Sequence, residues 1–310
     1  MNMRAAVLQE RGGTPVVVDH EEPSEQTGAV LIDVNTAGLG GWDVVGAYRE
    51  SVDFPCVVRG EGVGRDQDGR RVYFGERSVL PFGALAERTV VPVPEVWEVP
   101  DGVDDATAIT MAIAGTGALL PLEETKIEAG DRVLVVGGTG ALGRIALPLA
   151  RHFGAGRVVA AARDAAALAD LKSAGIADEV VTLTGEDDAA RLRDASGGDG
   201  FDAVLDLVYG APLEAAIAAT RWGARIVNAG TLAGRQVTLG PGALLFRTLT
   251  TIGTGQRPPA EREQIWRRLL QLSTEVDLSM PTTHYALEDA ATAWQAQVAS
   301  PHGKVIVDIH

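Results

Sequence analysis

Short apolar runs rich in valine, separated by Gly, Pro and Asp, fill roughly the first third of the chain. They include residues 14–18, 29–34 and 88–93. Short β-branched runs bounded by turn-forming residues are typical of strands. The pattern therefore predicts a compact all-β unit at this end of the chain.

Beyond residue 101, strand-like and helix-like stretches alternate. The predicted strands are residues 132–136, 157–161, 179–182, 203–207, 224–228 and 249–253, with helices between them that include 142–153, 164–174 and 213–221. This alternation predicts an α/β unit whose six strands form one doubly wound parallel sheet with right-handed crossovers. A helix at 259–272 and a strand at 304–309 then predict a return to the first unit.

Composition narrows the possible classes of protein. Of the 310 residues, 46% are hydrophobic and 22% charged, an ordinary balance for a globular chain with two cores. The net charge of -15 opposes nucleic-acid binding, because it repels phosphate backbones. The single cysteine, Cys56, excludes an internal disulfide and fits a reducing compartment. We expect no apolar run of the roughly 18 residues that span a bilayer and no signal peptide, hence a cytoplasmic protein without membrane contact.

A glycine-rich turn separates the apolar run at 133–136 from an alanine- and leucine-rich helix. It consists of Gly137, Gly138, Thr139, Gly140, Ala141, Leu142 and Gly143. In this context Gly138 permits a tight turn, Gly140 lets the backbone approach a pyrophosphate, and Gly143 lets helix and strand pack closely. The turn from Gly138 to Gly143 therefore predicts a dinucleotide site, and a glycine-rich connection without a ligand is the alternative.

The end of the second strand of this unit distinguishes NADPH from NADH. A carboxylate about 20 residues past the turn would hold the ribose 2′-hydroxyl of NADH, but the strand here ends in Ala161, Ala162 and Arg163. Arg163 offers a planar cation to the 2′-phosphate of NADPH, which is therefore the preferred cofactor. Asp164 keeps NADH as the less favoured cofactor, and a solvated strand-end arginine is the alternative role for Arg163.

The order of these features resembles the medium-chain dehydrogenase/reductase superfamily over nearly the whole chain. The matching segments are residues 36–38, the turn at Gly137, residues 222–227 and residues 303–307. Within that superfamily the chain most resembles the zinc-independent quinone oxidoreductase branch. The resemblance implies a GroES-like β domain made of residues 1–110 and 256–310, and a Rossmann domain made of residues 111–255.

The resemblance also bears on zinc. Zinc-containing alcohol dehydrogenases of the superfamily carry Cys, His and Cys ligands where this chain has Gly40, Gly60 and Ala112. These residues cannot ligate a metal, and one cysteine cannot build a four-cysteine structural site. Asp43 and Glu61 stand at family-like positions, where we interpret them as structural polar contacts. A protein without zinc is therefore expected.

Without zinc, protein hydrogen bonds, the cofactor's ribose or water must polarise the substrate oxygen, which suits quinones and α,β-unsaturated carbonyl compounds. Tyr48 is the candidate proton donor, because Gly46-Ala47-Tyr48 is similar to the Gly-x-Tyr of related enoyl reductases. An ordinary loop aromatic is the alternative for Tyr48. Trp42, Arg59 and Arg257 are candidate substrate contacts, with core packing the alternative for Trp42 and surface solvation for the arginines.

Further cofactor contacts are implied by the resemblance alone. They are Thr116, Leu207, Gly230, Thr231, Gly253, Thr254, Gly255 and Lys304. Lys304 would lie near the pyrophosphate, and a surface lysine is the alternative. The resemblance also implies a homodimer that pairs through the last Rossmann strand.

The leading interpretation is an NADPH-dependent reductase of small-molecule quinones or enones. Two alternatives stay open. One is an enoyl reductase of a specialised metabolic pathway, and the other is an NADPH-binding sensor or accessory protein without turnover.

Overall fold

The computed structural model describes residues 1–45, 52–75 and 77–310, which form two compact units. The first unit holds Met1–Ile113, Pro258–Gln271 and Pro281–His310, and the second holds Ala114–Arg257 and Leu272–Met280. The chain thus builds most of the first unit and then most of the second, and a short segment at 272–280 belongs to the second unit between two later segments of the first.

The first unit is built mainly from antiparallel strands. Those described before residue 100 are β1 (Asn2–Leu8), β2 (Val16–Glu21), β3 (Ala29–Leu39), β4 (Cys56–Val57), β5 (Glu61–Asp66), β6 (Arg71–Phe74), β7 (Arg88–Pro92) and β8 (Val96–Glu98). One sheet has the order β2-β1-β4, and in the other β3 pairs with both β5 and β7. A short helix, α1 (Gly41–Val45), follows β3. The prediction of a mainly β unit for this region is confirmed. The strand predicted at 14–18 is β2, which begins two residues later, at Val16.

A continuous helical stretch leads from the first unit into the second. It contains α2 (Asp105–Ile109), a π-helical turn (Thr110–Ala114) and α3 (Gly115–Glu124). By length and composition this 20-residue stretch could cross a membrane, so the expectation that no apolar run reaches that length is wrong. Of its most apolar window, 72% is buried inside the protein, which is typical of a core helix.

The second unit is a parallel sheet covered by helices. Among its described residues the strands are β9 (Arg132–Val136), β10 (Arg157–Ala162), β11 (Glu179–Thr182), β12 (Phe201–Asp206), β13 (Thr220–Asn228) and β14 (Thr248–Thr251). Their order is β11-β10-β9-β12-β13-β14, and every pair is parallel. The predicted six-stranded Rossmann sheet is therefore confirmed.

Helices connect the strands of this sheet. They are α4 (Ala141–His152), α5 (Ala165–Ser173), α6 (Asp188–Ala195) and α7 (Ala211–Ala218). β12 is buried at every position, as expected for a central parallel strand with helices on both faces. The strand order changes direction at β9, whose neighbours are β10 and β12. In open α/β sheets, ligands bind outside the carboxyl ends of the strands at such a point.

The last part of the chain rejoins the first unit. It forms α8 (Pro259–Leu272), β15 (Thr282–Ala286), α9 (Ala290–Val298) and β16 (Lys304–Asp308). β16 pairs antiparallel with β3, so the terminal strand lies inside the larger sheet. Trp266 of α8 is fully buried, and its ring stacks on Tyr73 with centroids 5.4 Å apart. Its indole nitrogen donates to the Ala108 carbonyl at 2.9 Å, which fixes α8 against α2.

Candidate functional site

The glycine turn joins β9 to α4. Gly137 has a φ of 86°, in the left-handed region that favours glycine. The N–H groups of Gly137 and Gly138 both donate to the Ala161 carbonyl of β10, at 2.8 and 3.2 Å. Gly137, which the prediction did not single out, takes the left-handed conformation of this turn.

Close approach explains the glycines at 138 and 143. A Cβ added to Gly138 would lie 2.8 Å from the Cβ of Ala160. A Cβ added to Gly143 would lie 2.5 Å from both the Gly137 carbonyl oxygen and the Gly138 Cα. Neither position accepts a side chain unless neighbouring atoms shift, and at Gly143 those atoms are backbone. The turn therefore packs tightly against β10 on one side and the start of α4 on the other.

The start of α4 presents backbone donors. Its N-cap is Gly140, which has no side chain to accept from the first-turn N–H groups. The first N–H groups of a helix lack intrahelical partners and carry the positive end of the helix dipole. A Cβ at Gly140 would meet only the Gly137 oxygen, at an ordinary 3.5 Å. The N–H groups of Ala141, Leu142 and Gly143 thus form a helix N-terminus suited to a phosphate.

Arg144 is a residue of this region that the sequence reasoning missed. Its Nε donates to the Thr139 carbonyl at 3.2 Å. Burial lowers the pKa of the guanidinium below its usual range, although the charge of Asp170 opposes the shift. A cation near the N-terminus of a helix interacts unfavourably with the helix dipole. An arginine at this position is therefore unusual, and that is the signal by which the sequence could have indicated it.

The end of β10 carries Arg163 and Asp164. Arg163 is exposed in a bend directly after the strand. Asp164 is the N-cap of α5, where its carboxylate accepts the Ala167 N–H at 2.9 Å. The Asp164 carboxylate is therefore engaged in capping the helix, and the cation beside it faces solvent.

The other strand ends of the second unit lie along the same edge. Leu207 and Gly230 follow β12 and β13, and a Cβ at Gly230 would lie 1.8 Å from the Leu207 carbonyl oxygen. Gly253, Thr254 and Gly255 follow β14, and Thr231 is exposed.

Thr116 is buried in α3, whose next residue, Gly117, lies beside the Leu142 side chain. The candidate cofactor residues of the second unit thus belong to the glycine turn, follow the strands or, for Thr116, lie in α3, and their contact with a cofactor stays a prediction.

Asp206 and Asn228 are the final residues of β12 and β13 and are paired in register. Both are buried, and Asn228 Nδ2 donates to Asp206 Oδ2 at 2.7 Å. Burial raises the pKa of Asp206 to about 6, against the opposing hydrogen bonds from Asn228, Tyr209 and Val208. A buried carboxyl group therefore lies at the centre of the carboxyl edge.

Lys304 lies in the first unit, within a buried polar network. Its ammonium is 2.5 Å from Glu61 Oε1, and the two side chains are only 3% and 1% exposed. Glu61 Oε2 accepts the Tyr73 hydroxyl at 2.7 Å. The alternative of a surface lysine is wrong, because β16 places Lys304 inside the sheet next to β3. Its proposed role near the pyrophosphate stays a prediction.

The positions that match zinc ligands do not fit a metal. A Cβ at Gly60 would lie 2.9 Å from the Gly38 carbonyl oxygen, and the φ of Gly60 is 96°. Gly40 donates its N–H to Asp43 Oδ2 at 2.7 Å, and Glu61 is paired with Lys304. Among the described residues, no group of His, Cys, Asp or Glu side chains is arranged to hold a metal ion. The residues at these positions therefore offer no ligand set for zinc.

The remaining candidates lie in different surroundings. Trp42 is 53% exposed on α1, so the alternative of core packing is wrong. Arg59 and Arg257 are half-buried. Burial raises the pKa of the Cys56 thiol to about 11 although Arg59 opposes the shift, which makes Cys56 unreactive as a nucleophile at neutral pH. Tyr48 lies outside the described residues.

Comparisons with known proteins agree with this architecture. A family model described as zinc-binding dehydrogenase matches residues 141–274. A mycocerosic acid synthase-like polyketide synthase of Mycobacterium tuberculosis is 30% identical over 267 residues, which are 83% of this chain. The chain spans only 12% of that protein's length. A quinone oxidoreductase-like protein 2 homolog of Nematostella vectensis is 25% identical over 262 residues, covering 80% of this chain and 71% of the relative.

The solved structures include a quinone oxidoreductase from Thermus thermophilus, also determined in complex with NADPH. It is 29% identical, with a TM-score of 0.78 and coverage of 99% of this chain and 100% of that one. The agreement of sequence, sheet order and structural likeness confirms the resemblance inferred from the motifs. The chain belongs to the medium-chain dehydrogenase/reductase superfamily of oxidoreductases, in its quinone oxidoreductase-like branch.

Proposed function

We propose that this protein is a zinc-independent oxidoreductase that uses NADPH to reduce a small-molecule quinone or α,β-unsaturated carbonyl compound. The observation that carries the proposal is the edge of the parallel sheet, where a bare helix N-terminus follows the glycine turn. Next to it, Arg163 is exposed while Asp164 caps a helix. The Thermus quinone oxidoreductase, which was solved with NADPH, supports this choice of cofactor.

The cofactor would be held by groups of the second unit. The N–H groups of Ala141 to Gly143 would bind the pyrophosphate, and Arg163 would pair with the 2′-phosphate. The residues after β12, β13 and β14 would line the rest of the dinucleotide. NADPH, when bound there, supplies the hydride.

The absence of zinc is part of the proposal, although the matching family model is described as zinc-binding. Gly40, Gly60 and Ala112 supply no metal ligand, and Glu61 already pairs with Lys304. Substrate activation would then rest on hydrogen bonds, which suit acceptors that are already electron-poor. Quinones and enones meet this requirement, whereas unactivated alcohols do not.

Tyr48 is the proposed proton donor to the reduced acceptor. Hydride addition would leave an enolate from an enone or a quinol monoanion from a quinone, and the Tyr48 hydroxyl would give its proton to that anion. Tyr48→Phe should lower the reduction rate of an enone by about a hundredfold, the lower end of typical acid–base contributions, with an unchanged Kd for NADPH. Full activity of this variant would show that water or another group donates the proton.

A second candidate is an enoyl reductase of a specialised metabolic pathway. The similarity to a polyketide synthase over 83% of this chain supports it. A screen of quinones, enones and enoyl thioesters, followed by the loss of NADPH absorbance, separates the two candidates. Turnover confined to thioesters would favour the enoyl reductase, and turnover of quinones or simple enones would favour the leading proposal. Tight NADPH binding without turnover of any compound would identify a sensor or accessory protein.

We further propose a cytoplasmic homodimer that pairs through β14, with neither nucleic acid nor membrane as a partner. β14 is the edge strand of its sheet, and its residues are largely exposed. Trp222, Leu245 and Phe246 are exposed nearby, and the Trp222 and Phe246 rings lie 5.1 Å apart. An open strand edge with exposed apolar neighbours favours pairing with another chain. Light scattering should give about twice the monomer mass of 32.4 kDa, and a monomer at micromolar concentration would exclude this dimer.

A further inference from the structure

The segments that follow β12 and β13 are joined by two buried side chains. Asn228 Nδ2 donates to Asp206 Oδ2 at 2.7 Å and to the Gly230 carbonyl at 2.8 Å. Asp206 and Asn228 are 0% and 1% exposed. The amide of Asn228 therefore links the carboxylate at the end of one strand to the segment after the next. We refer to Asp206 and Asn228 as the strand-end pair.

The Asp206 carboxylate also shapes its own segment. Its Oδ2 accepts the Tyr209 N–H at 2.9 Å, and its Oδ1 accepts the Val208 N–H at 3.3 Å. Tyr209 has a φ of 65°, which is unfavourable for a residue with a side chain. The hydrogen bonds to Asp206 thus help to hold the chain in a conformation that it would otherwise avoid.

Backbone hydrogen bonds complete the link between the segments. The Ala229 N–H donates to the Asp206 carbonyl at 2.9 Å, and the Ala233 N–H donates to the Val208 carbonyl at 2.7 Å. Gly230 lies so close to Leu207 that a Cβ would be 1.8 Å from its carbonyl oxygen. Residues 207–209 and 229–233 therefore form one connected surface at the carboxyl edge of the sheet.

The surroundings of Asp206 make its negative charge costly. Its neighbours in the sheet are Val136 of β9 and Asn228 of β13, and its contacts are an amide and backbone N–H groups. Tyr209 is the titratable side chain of the segment that it holds. Burial raises the pKa of Asp206 to about 6. The ionised form of such a residue destabilises the folded protein. Residues with this cost are expected mainly at functional sites.

We infer that Asp206 and Asn228 are positioning residues that shape residues 207–209 and 229–231 for cofactor binding, and that ionised Asp206 is the form that does so. The inference rests on the proposed function, because it takes the dinucleotide as the ligand of this edge. Cofactor affinity would depend on the protonation of Asp206, which is buried at the end of β12 and is not part of the glycine turn.

The first test needs no variant and no cofactor. Hydrogen exchange of the Val208 and Tyr209 amides, corrected for the intrinsic effect of pH, should show about tenfold less protection at pH 5 than at pH 7.5. The reason is that the charge-assisted acceptor is lost on protonation. Asp206→Asn should remove this dependence on pH. Equal protection of both amides across the range in the wild-type protein would overturn the inference.

The second test measures NADP⁺ binding by titration calorimetry at both pH values. Asp206→Asn should raise the Kd about tenfold at pH 7.5, and the ratio to wild type should approach one at pH 5. The Kd of the variant is divided by that of the wild type at the same pH. The titration of the cofactor's own 2′-phosphate affects both values equally and therefore cancels. A ratio of one at both pH values would overturn the inference.

Asp202→Asn is the matched control, because Asp202 lies on the same strand near its other end and pairs with Arg132 and Arg221. Its Kd ratio should be the same at both pH values. If Asp202→Asn reproduces the change seen with Asp206→Asn, the effect comes from general destabilisation and the inference fails. If the wild-type protein binds no dinucleotide, the proposed function fails, and the exchange measurement decides by itself whether the strand-end pair orders these segments.

Discussion

The carboxyl edge of the parallel sheet and the buried network around Glu61 are built in opposite ways. At the sheet edge, the groups proposed to bind the cofactor are mainly backbone N–H donors and single residues that follow strands. Around Glu61 they are side chains distant in sequence, since Lys304 is separated from Glu61 by 243 residues. Local pattern specifies the first region, and the pairing of β16 with β3 creates the second.

The two regions also differ in how fully their polar groups are satisfied. The first-turn N–H groups of α4 lack a side-chain cap and are suited to an external anion. Glu61, in contrast, already accepts from Lys304 and Tyr73 inside the protein. This difference supports the proposal that the first region binds a ligand and that the second holds strands together.

Lys304→Met should produce the largest change. Removing one partner leaves the carboxylate of Glu61 buried without its cation, which typically costs about 3–5 kcal/mol. The free energy of unfolding from urea denaturation should fall by that amount. A loss below about 1 kcal/mol would mean that the network contributes little to stability.

The double variant Glu61→Gln, Lys304→Met separates stability from cofactor binding. It removes both charges, so much of the lost stability should return. If Lys304 serves mainly to hold strands together, the Kd of the double variant for NADPH should equal that of the wild-type protein. A Kd raised tenfold in this restabilised protein would instead support the pyrophosphate contact that the family resemblance implies.

Much of the fold could be predicted because it follows local pattern. The strands at Arg132–Val136 and Glu179–Thr182 and the helix Pro259–Leu272 have their predicted limits. The predicted helix at 213–221 ran too far, because the chain leaves α7 at Ala218 and enters β13 at Thr220. The strand Thr282–Ala286 went unpredicted, since its polar, exposed residues lack an apolar pattern.

In the candidate site, too, residues placed by local pattern could be predicted, and residues placed by tertiary structure could not. The glycine turn and Arg163 could be identified because each stands at a fixed place relative to a strand. The engagement of Asp164 as a helix cap depends on where α5 begins, which the sequence placed one residue early. The pairing of Asp206 with Asn228 depends on the register of β12 against β13. Register between two buried apolar strands is a tertiary property, so the sequence indicated these residues only as parts of strand ends.

Asp206→Asn should change how stability depends on pH. The folded protein holds a proton on Asp206 up to about pH 6, whereas the usual value is 3.8. The folded state therefore binds more protons in this interval, and stability falls as the pH rises through it. Relative to wild type, the variant should gain about 3 kcal/mol between pH 4 and pH 7, from about two pKa units at ~1.4 kcal/mol each. Urea denaturation at several pH values measures this gain, and parallel curves for the two proteins would contradict it.

Gly143→Ala tests the backbone-built region directly. The added Cβ would meet the backbone of Gly137 and Gly138 at 2.5 Å, so the turn or the start of α4 must move. Loss of one hydrogen bond to the charged pyrophosphate, worth roughly 1.5–3 kcal/mol, corresponds to about a hundredfold at its upper end, and we expect this increase in the Kd for NADPH. Gly240→Ala is the matched control, because no atom lies within 4 Å of a Cβ at that position. Equal affinity of the two variants would show that the turn does not hold the cofactor.

Arg163→Ala should give the smallest effect, because the guanidinium is exposed and screened by solvent. Its expected signature is a change in preference, since only NADPH carries the 2′-phosphate that Arg163 would bind. The ratio of kcat/KM for NADPH to that for NADH should fall about tenfold, equivalent to ~1.4 kcal/mol. Arg193→Ala removes the same charge from the exposed surface of α6 and should leave the ratio unchanged. If both variants lower the ratio equally, the long-range field of a protein with net charge -15 sets the preference. If neither variant lowers the ratio, Arg163 does not set the preference for NADPH, and other residues along the sheet edge must do so.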